Sequence, residues 1–250
     1  MLFRSPLPFA ANIIHMAARK FGSTGNEHLT WAMNTLLPGL VCEQFRNARI
    51  VAFSTGNVYP LTPVTLGGPV ETSPVGPVGE YAQSALGRER IFQYYSDRYD
   101  IPVTLLRLNY AVELRYGVVL DIGRRVFERQ PVDVTMGHVN VIWQGDANSI
   151  ALRSFELAQA PPVVLNVTGA ETISVRWLAQ RFVDRFGIEP VYEGSESESA
   201  LLNNAARCHA LFGCPAVTVE QMIEWTADWI GCGGATWDKP THFEVRDGRF

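Results

Sequence analysis

Three short runs of this 250-residue sequence gather side chains able to hold or polarise a small molecule: Arg19-Lys20-Phe21-Gly22-Ser23-Thr24-Gly25, Gly56-Asn57-Val58-Tyr59 directly after Thr55, and Asn109-Tyr110. Each follows an apolar run that reads as a buried strand. Hydroxyls, amides and glycines in such places serve either to turn a surface loop or to meet a ligand beyond the carboxyl ends of strands. Further on, Arg115 and Arg124 are able to meet a phosphate or carboxylate, or to lie solvated on the surface. Cys208, His209 and Cys214 come nearest to a metal cluster. One Cys-His pair plus one Cys gives too few donors at the wrong spacing, so no metal is expected. The four cysteines, Cys42, Cys208, Cys214 and Cys232, read as reduced, buried thiols.

The elements that must position these groups alternate. Residues 12–18 and 49–55 read as buried strands, and 27–45 between them carries apolar residues at helical spacing with a kink expected at Pro38. Strand, helix, strand makes a parallel crossover unit. Residues 55–79 are rich in Pro, Gly and Thr and read as an extended loop, 80–97 as a helix and 102–108 as a strand. Beyond Asn109 a helix is predicted over 121–129, a short strand over 139–143, a helix over 146–159 and a strand over 163–167. The helix over 174–186 carries an N-cap Ser174 and ends before Gly187. The helix over 218–230 opens on a Thr218/Gln221 capping box and turns Met222, Trp225 and Trp229 inward; the tail from Gly233 is irregular.

Composition bounds the function classes. With 47% hydrophobic and 18% charged residues the chain has enough apolar surface for a core, and its composition is not that of a disordered chain. A formal net charge of −4 provides no basic excess for a nucleic-acid backbone. No apolar run approaches the roughly 20 residues that span a bilayer. Residues 1–18, with Arg4 and then apolar residues, faintly imitate a secretion leader, but Asn12 and His15 interrupt it, and a cytoplasmic protein is expected.

Taken in order, several fragments resemble the extended short-chain dehydrogenase/reductase family, also called the NAD-dependent epimerase/dehydratase family. His15-Met16-Ala17-Ala18 is similar to its H-x-A-A strand end, and Asn34 to the asparagine of the following helix. Ser54-Thr55-Gly56-Asn57-Val58-Tyr59 resembles its S-[ST]-x-x-V-Y segment, Arg107-Leu108-Asn109 its R-x-N strand end, and Asn166-Val167-Thr168-Gly169 its N-V-x-G segment. Tyr81-Ala82-Gln83-Ser84-Ala85 falls where the family has Y-x-x-x-K.

The resemblance implies hydride transfer between a substrate carbon and NAD or NADP, with Tyr81 as acid/base and Thr55 as the assisting hydroxyl. By the same carry-over Ala17, Ala18 and Tyr81 touch the cofactor and Asn109 the substrate, a nucleotide-sugar-like molecule or another hydroxyl or carbonyl compound. Gly56-Asn57 stands where sugar 4,6-dehydratases have Asp-Glu, which disfavours that activity.

Two departures weaken the cofactor side. The lysine that would stabilise a phenolate is Ala85, and Arg88, on the same helix face but about 10 Å further along, reads as too distant to replace it. No G-x-x-G-x-x-G turn occurs; Gly22-x-x-Gly25 and the later Gly231, Gly233 and Gly234 read as ordinary turns. Against the family pattern the strand at 12–18 corresponds to the fourth strand.

The expected fold is therefore α/β: a partial Rossmann-like parallel sheet with a smaller C-terminal α/β substrate-binding lobe. Residues 1–110 form a truncated nucleotide-binding domain with about three parallel strands. Residues 111–250 form mainly the lobe, with strands able to return to the sheet. The open sheet edge predicts marginal stability, or a homo-oligomer or other partner covering it. Two functions are open: an NAD(P)-dependent epimerase or reductase, impaired as this chain stands, or a non-catalytic remnant that binds a substrate or partner.

Overall fold

A computed structural model describes residues 7–249; the first six residues of the leader-like stretch lie outside them. Four parallel strands form the central sheet: β1 (Asn12–His15), β2 (Arg49–Thr55), β3 (Val103–Leu108) and β4 (Val163–Val167), in that spatial order. The sheet thus has one strand more than the N-terminal part alone supplies, because β4 returns from beyond residue 111 to pair with β3. Among the described residues β1 pairs on one side only.

Period-two alternation in β2 and β3 splits their side chains between two cores. Ile50, Ala52, Val103 and Leu105 pack with Cys42 and Phe92, beneath the helices that connect the first three strands. Val51 and Leu106 face the other way, against Ile150, Leu165 and Cys208. Both faces being covered explains why β2 and β3 read as nearly unbroken apolar runs.

The helix expected over 27–45 is built in three pieces: α1 (Glu27–Trp31), a π turn at Ala32–Leu36, and α2 (Leu37–Gln44). Pro38 has no N–H for the ordinary i−4 bond, and the wide turn just before it takes up the mismatch that a kink would otherwise relieve. α3 (Gly79–Tyr99) follows the long loop and precedes β3. The strand expected over 12–18 ends at His15; Met16 to Lys20 carry no regular structure.

Beyond β3, α5 (Gln144–Arg153) and α8 (Ala206–Phe212) cover the second face of the sheet, and the lobe is built around α4 (Val118–Phe127), α6 (Val175–Arg181), α7 (Val183–Phe186) and α9 (Val219–Gly231). Its core joins Val119 and Ile122 to Leu178, Phe182, Met222 and Ile223. The single strand predicted over 139–143 is two: His138–Val139 pairs antiparallel with Ile173–Ser174, and Ile142–Trp143 pairs parallel with Ala111–Val112. The chain changes partner at Asn140, whose buried side chain donates to the Glu171 carbonyl and accepts from the Asn203 N–H. The helix predicted over 146–159 starts at Gln144 and tightens into a 3-10 turn at Ser154–Leu157, and the one over 174–186 breaks at Phe182.

Ser174 caps α6, Gly187 closes α7 at φ +64°, and the Thr218/Gln221 capping box opens α9. Of the three α9 side chains expected inside, Met222 is buried but Trp225 is 37% exposed, edge-on to Trp143, and the Trp229 indole donates to the Ala235 carbonyl at the surface. All four cysteines are free; Cys42 and Cys208 are buried as expected, whereas Cys214 and Cys232 are exposed. Their positions in the chain flanking α9 leave them no core to enter.

Candidate functional site

Beyond the carboxyl ends of β2 and β3 lies a cavity of about 320 Å³. Thr55 at the end of β2, Tyr81 in the first turn of α3 and Asn109 just after β3 all line it, as do Lys20, Tyr116 and Trp237. Residues far apart in the chain meet here because parallel strands place all their carboxyl ends on one side of the sheet.

Thr55 Oγ1 accepts hydrogen bonds from the Asn57 N–H at 3.2 Å and from Asn57 Nδ2 at 3.1 Å. Both bonds use the oxygen as acceptor, which keeps the hydroxyl hydrogen available for donation to a ligand. Asn109 is 2% exposed; its N–H prolongs the β3 ladder to the Val167 carbonyl and its Nδ2 donates to the Leu201 carbonyl at 3.3 Å. Tyr81 is buried on α3.

Asn34, in the π turn, ties the loop after β1 to α3. Its Oδ1 accepts from the Arg19 N–H at 2.8 Å, while its Nδ2 donates to the Arg19 carbonyl at 2.9 Å and to Ser84 Oγ at 2.8 Å. Ser84 in turn donates to the Tyr81 carbonyl. The asparagine singled out in the sequence is therefore a fastener, placed inward by the widened turn, and does not itself line the cavity.

Ala17 and Ala18 are exposed on the loop after β1 and are not among the cavity-lining residues. Ala85 is fully buried against Val58 and Tyr59. Arg88, read from sequence as lying too far along α3, folds back under β2: its Nη1 donates to the Phe53 carbonyl at 2.8 Å, and its Nε and Nη2 are buried without a hydrogen-bond partner. Burial, and then the Arg88 charge, push the His15 imidazole down to about 4, so it is neutral at physiological pH.

Lys20 is the site residue that motif reasoning missed, although it stands inside a run flagged for its chemistry. Its ammonium lies 5.9 Å from the Tyr81 ring centroid and 5.2 Å from that of Phe21. Burial, and then the charge of Lys239, push it down to about 8, against the opposing pull of Glu244.

The remaining motif residues hold the frame together. Ser54 donates to Glu89 Oε1; Arg107 meets both oxygens of Glu89 and donates from Nη1 to the Tyr59 hydroxyl; that hydroxyl donates to Asn166 Oδ1 at 2.9 Å. This buried chain of polar groups joins β2, α3, β3, the long loop and β4. Gly169 approaches the Val141 carbonyl so closely that a Cβ would overlap it. Arg115 stacks over Trp237 and pairs with Glu113, and Arg124 pairs with Glu128 and Asp238, so both are neutralised by acids.

A nicotinamide and its ribose suit a cavity of this size that presents the Thr55 and Tyr81 hydroxyls. A pyrophosphate does not suit the segment after β1. α1 has five residues, and the Glu27 carboxylate already accepts from the Gly25 N–H at 2.7 Å, which places negative charge where a phosphate would need donors. Among the described residues no group of His, Cys, Asp or Glu could hold a metal ion, and no helix is long and apolar enough to cross a membrane.

Residues 10–112 match the model of the NAD dependent epimerase/dehydratase family. No curated protein matches the chain. Among solved structures, the chain is similar to the UDP-glucose 4-epimerase of Thermus thermophilus in complex with NAD, at TM-score 0.74 and 20% identity, over 87% of this chain and 76% of that one. It is similar also to the UDP-glucuronic acid 4-epimerase of Bacillus cereus in complex with NAD, at TM-score 0.76 and 16% identity over 89% and 74%. The protein RMD of Pseudomonas aeruginosa, complexed with NADPH, matches at TM-score 0.76 and 18% identity over 88% and 82%. At these identities the likeness establishes a shared fold.

Proposed function

We propose, for a chain whose residues 10–112 match the NAD dependent epimerase/dehydratase family and whose fold is that of nucleotide-sugar epimerases, an acid/base site acting on a hydroxyl or carbonyl group of a nucleotide-sugar-like substrate. The observation that carries this reading is the convergence of Thr55, Tyr81 and Asn109, from three separate elements, on one cavity. A bound nicotinamide supplies or accepts the hydride. The chain's own residues do the rest: Tyr81 gives or takes the hydroxyl proton, Thr55 donates to the same substrate oxygen, and the Asn109 amide orients the substrate. Ala17 and Ala18, the cofactor contacts implied by the family resemblance, would meet it outside that cavity, on the exposed loop that also carries Lys20.

The grip on the cofactor is weak in this reading, since Ala85 brings no charge and α1 offers no phosphate cradle. A second reading, a non-catalytic module that retains the substrate cavity, draws on the same two features. Calorimetric titration of the full chain with NAD(H) and NADP(H), followed by UDP-glucose and UDP-glucuronic acid, separates them. Cofactor binding that Tyr81→Phe leaves intact while abolishing turnover supports the enzyme; sugar-nucleotide binding with no cofactor binding supports the module; binding of neither overturns both. The outer edge of β1 fits a second chain laid alongside it, which sedimentation at several concentrations tests.

A further inference from the structure

Of the 21 Lys and Arg residues two are lysines, Lys20 and Lys239, and the fold brings them together. Their ammonium groups lie over one ring, that of Phe21, at 5.2 Å and 4.0 Å from its centroid. Only Lys20 of the two lines the cavity, where it also faces the Tyr81 ring. Its backbone is held in place: the preceding residue, Arg19, is bonded through both N–H and carbonyl to Asn34, and the Lys20 carbonyl accepts from Ser23 Oγ at 2.6 Å. The same Asn34 amide holds Ser84, which bonds the Tyr81 carbonyl. One buried side chain thus sets the loop that carries the amine and the helix turn that carries the phenol.

We propose that Lys20 is the positioning residue of Tyr81, supplying from the loop after β1 the positive charge beside the phenol that α3 does not carry at Ala85. The proposal rests on the reading of Tyr81 as the acid/base. A cation beside a phenol favours its ionised form, so a proton given up to the substrate leaves a phenolate with a counter-charge at hand. The charge can arrive from any direction in space; what matters is distance, and the helix position four residues on is only one way to provide it. Lys20 shares the cavity with Tyr81, Tyr110 and Tyr116 and feels the charges of Lys239 and Glu244 on the C-terminal tail, while Tyr81 also feels that of Arg88 on its own helix. Lys239 and Glu244 act on the Lys20 charge in opposite senses.

Two lysines make the test direct. Reductive methylation of the ligand-free full chain with ¹³C-formaldehyde gives two lysine NMR signals, assigned with Lys239→Arg, whose shifts are followed against pH. Two groups that feel each other strongly share their titration, and the effect is reciprocal. Tyr81→Phe is expected to move the Lys20 midpoint down, and by more than it moves that of Lys239. Tyrosinate absorbance adds the converse: the Tyr81 contribution, assigned by difference from Tyr81→Phe, moves to higher pH in Lys20→Met and stays put in Lys20→Arg. Superimposable Lys20 curves in wild type and Tyr81→Phe overturn the proposal, as does a Tyr81 contribution indifferent to Lys20→Met. No cofactor enters these measurements. Failure here with cofactor binding and Tyr81-dependent turnover intact removes Lys20 and keeps the acid/base reading, while a shared titration without cofactor binding leaves the two side chains paired but removes the acid/base reading and the positioning role with it.

Discussion

Arg107 on β3 and Glu89 on α3 form a buried two-point ion pair, Nε to Oε1 at 2.9 Å and Nη2 to Oε2 at 2.7 Å, with side-chain exposures of 6% and 3%. Both ends carry further bonds, to Tyr59 and to Ser54, so that neither charge relies on its partner alone. Removing one end strands the other charge out of water, which costs about 3–5 kcal/mol. Glu89→Gln and Arg107→Met are each expected to lower the urea midpoint sharply. The double variant should recover part of the loss, and strictly additive losses would show that the pair does not act as a unit.

His15 makes stability depend on pH. Its folded value of about 4 lies below the ordinary 6.5, so between those limits the unfolded chain takes up a proton that the folded one refuses. Stability is then full above about pH 6.5 and falls as pH drops towards 4, by up to about 3 kcal/mol. The T-shaped contact with Phe92 at 5.3 Å makes His15→Phe a conservative replacement. In urea melts over that window it should flatten the pH dependence; an unchanged slope would count against the assignment.

The thiols divide into two classes. Burial pushes the Cys42 and Cys208 thiols up to about 12, while Cys214 and Cys232 lie exposed. The thiolate is the reactive form, so Ellman's reagent at pH 8 should titrate two thiols in the native chain and four in denaturant. Four reacting promptly under native conditions would contradict the packing around α2 and α8.

Gly169 leaves no room for a side chain, because its N–H bonds the Val141 carbonyl at 3.1 Å and a Cβ would collide with that oxygen. Gly169→Ala should cost about 1–3 kcal/mol by forcing the two segments apart. The mirror case is Gly25, whose Cβ meets nothing within 4 Å but whose φ is +79°. There only backbone strain opposes alanine, at about 1–2 kcal/mol, and thermal melts of the two variants compare packing with strain.

Much of the frame was legible in order. β2 coincides with its predicted bounds, since a run of β-formers covered on both faces carries no ambiguity about length. The capping box of α9 and the Ser174 cap read correctly because capping is settled between neighbours in sequence. The segment around Asn140 did not read correctly, because two distant segments compete for it and only their positions decide where one pairing stops and the next begins. Trp225 and Trp229 failed similarly: helical spacing names a face but not whether that face lies at the centre or the rim of a core.

The sequence by itself determined the alternation of strands and helices, the three strand ends where chemistry gathers, and the residue types Thr55, Tyr81 and Asn109 that meet there. Only the tertiary structure decided how the charges are distributed around them. It buried Ala85 against Val58 and Tyr59, turned Arg88 under the sheet, and brought Lys20 to the Tyr81 ring by way of Asn34. Electrostatic effect depends on distance through space, and the loop after β1, distant from Tyr81 along the chain, comes within a few ångströms of it only once the parallel sheet has set all its carboxyl ends side by side.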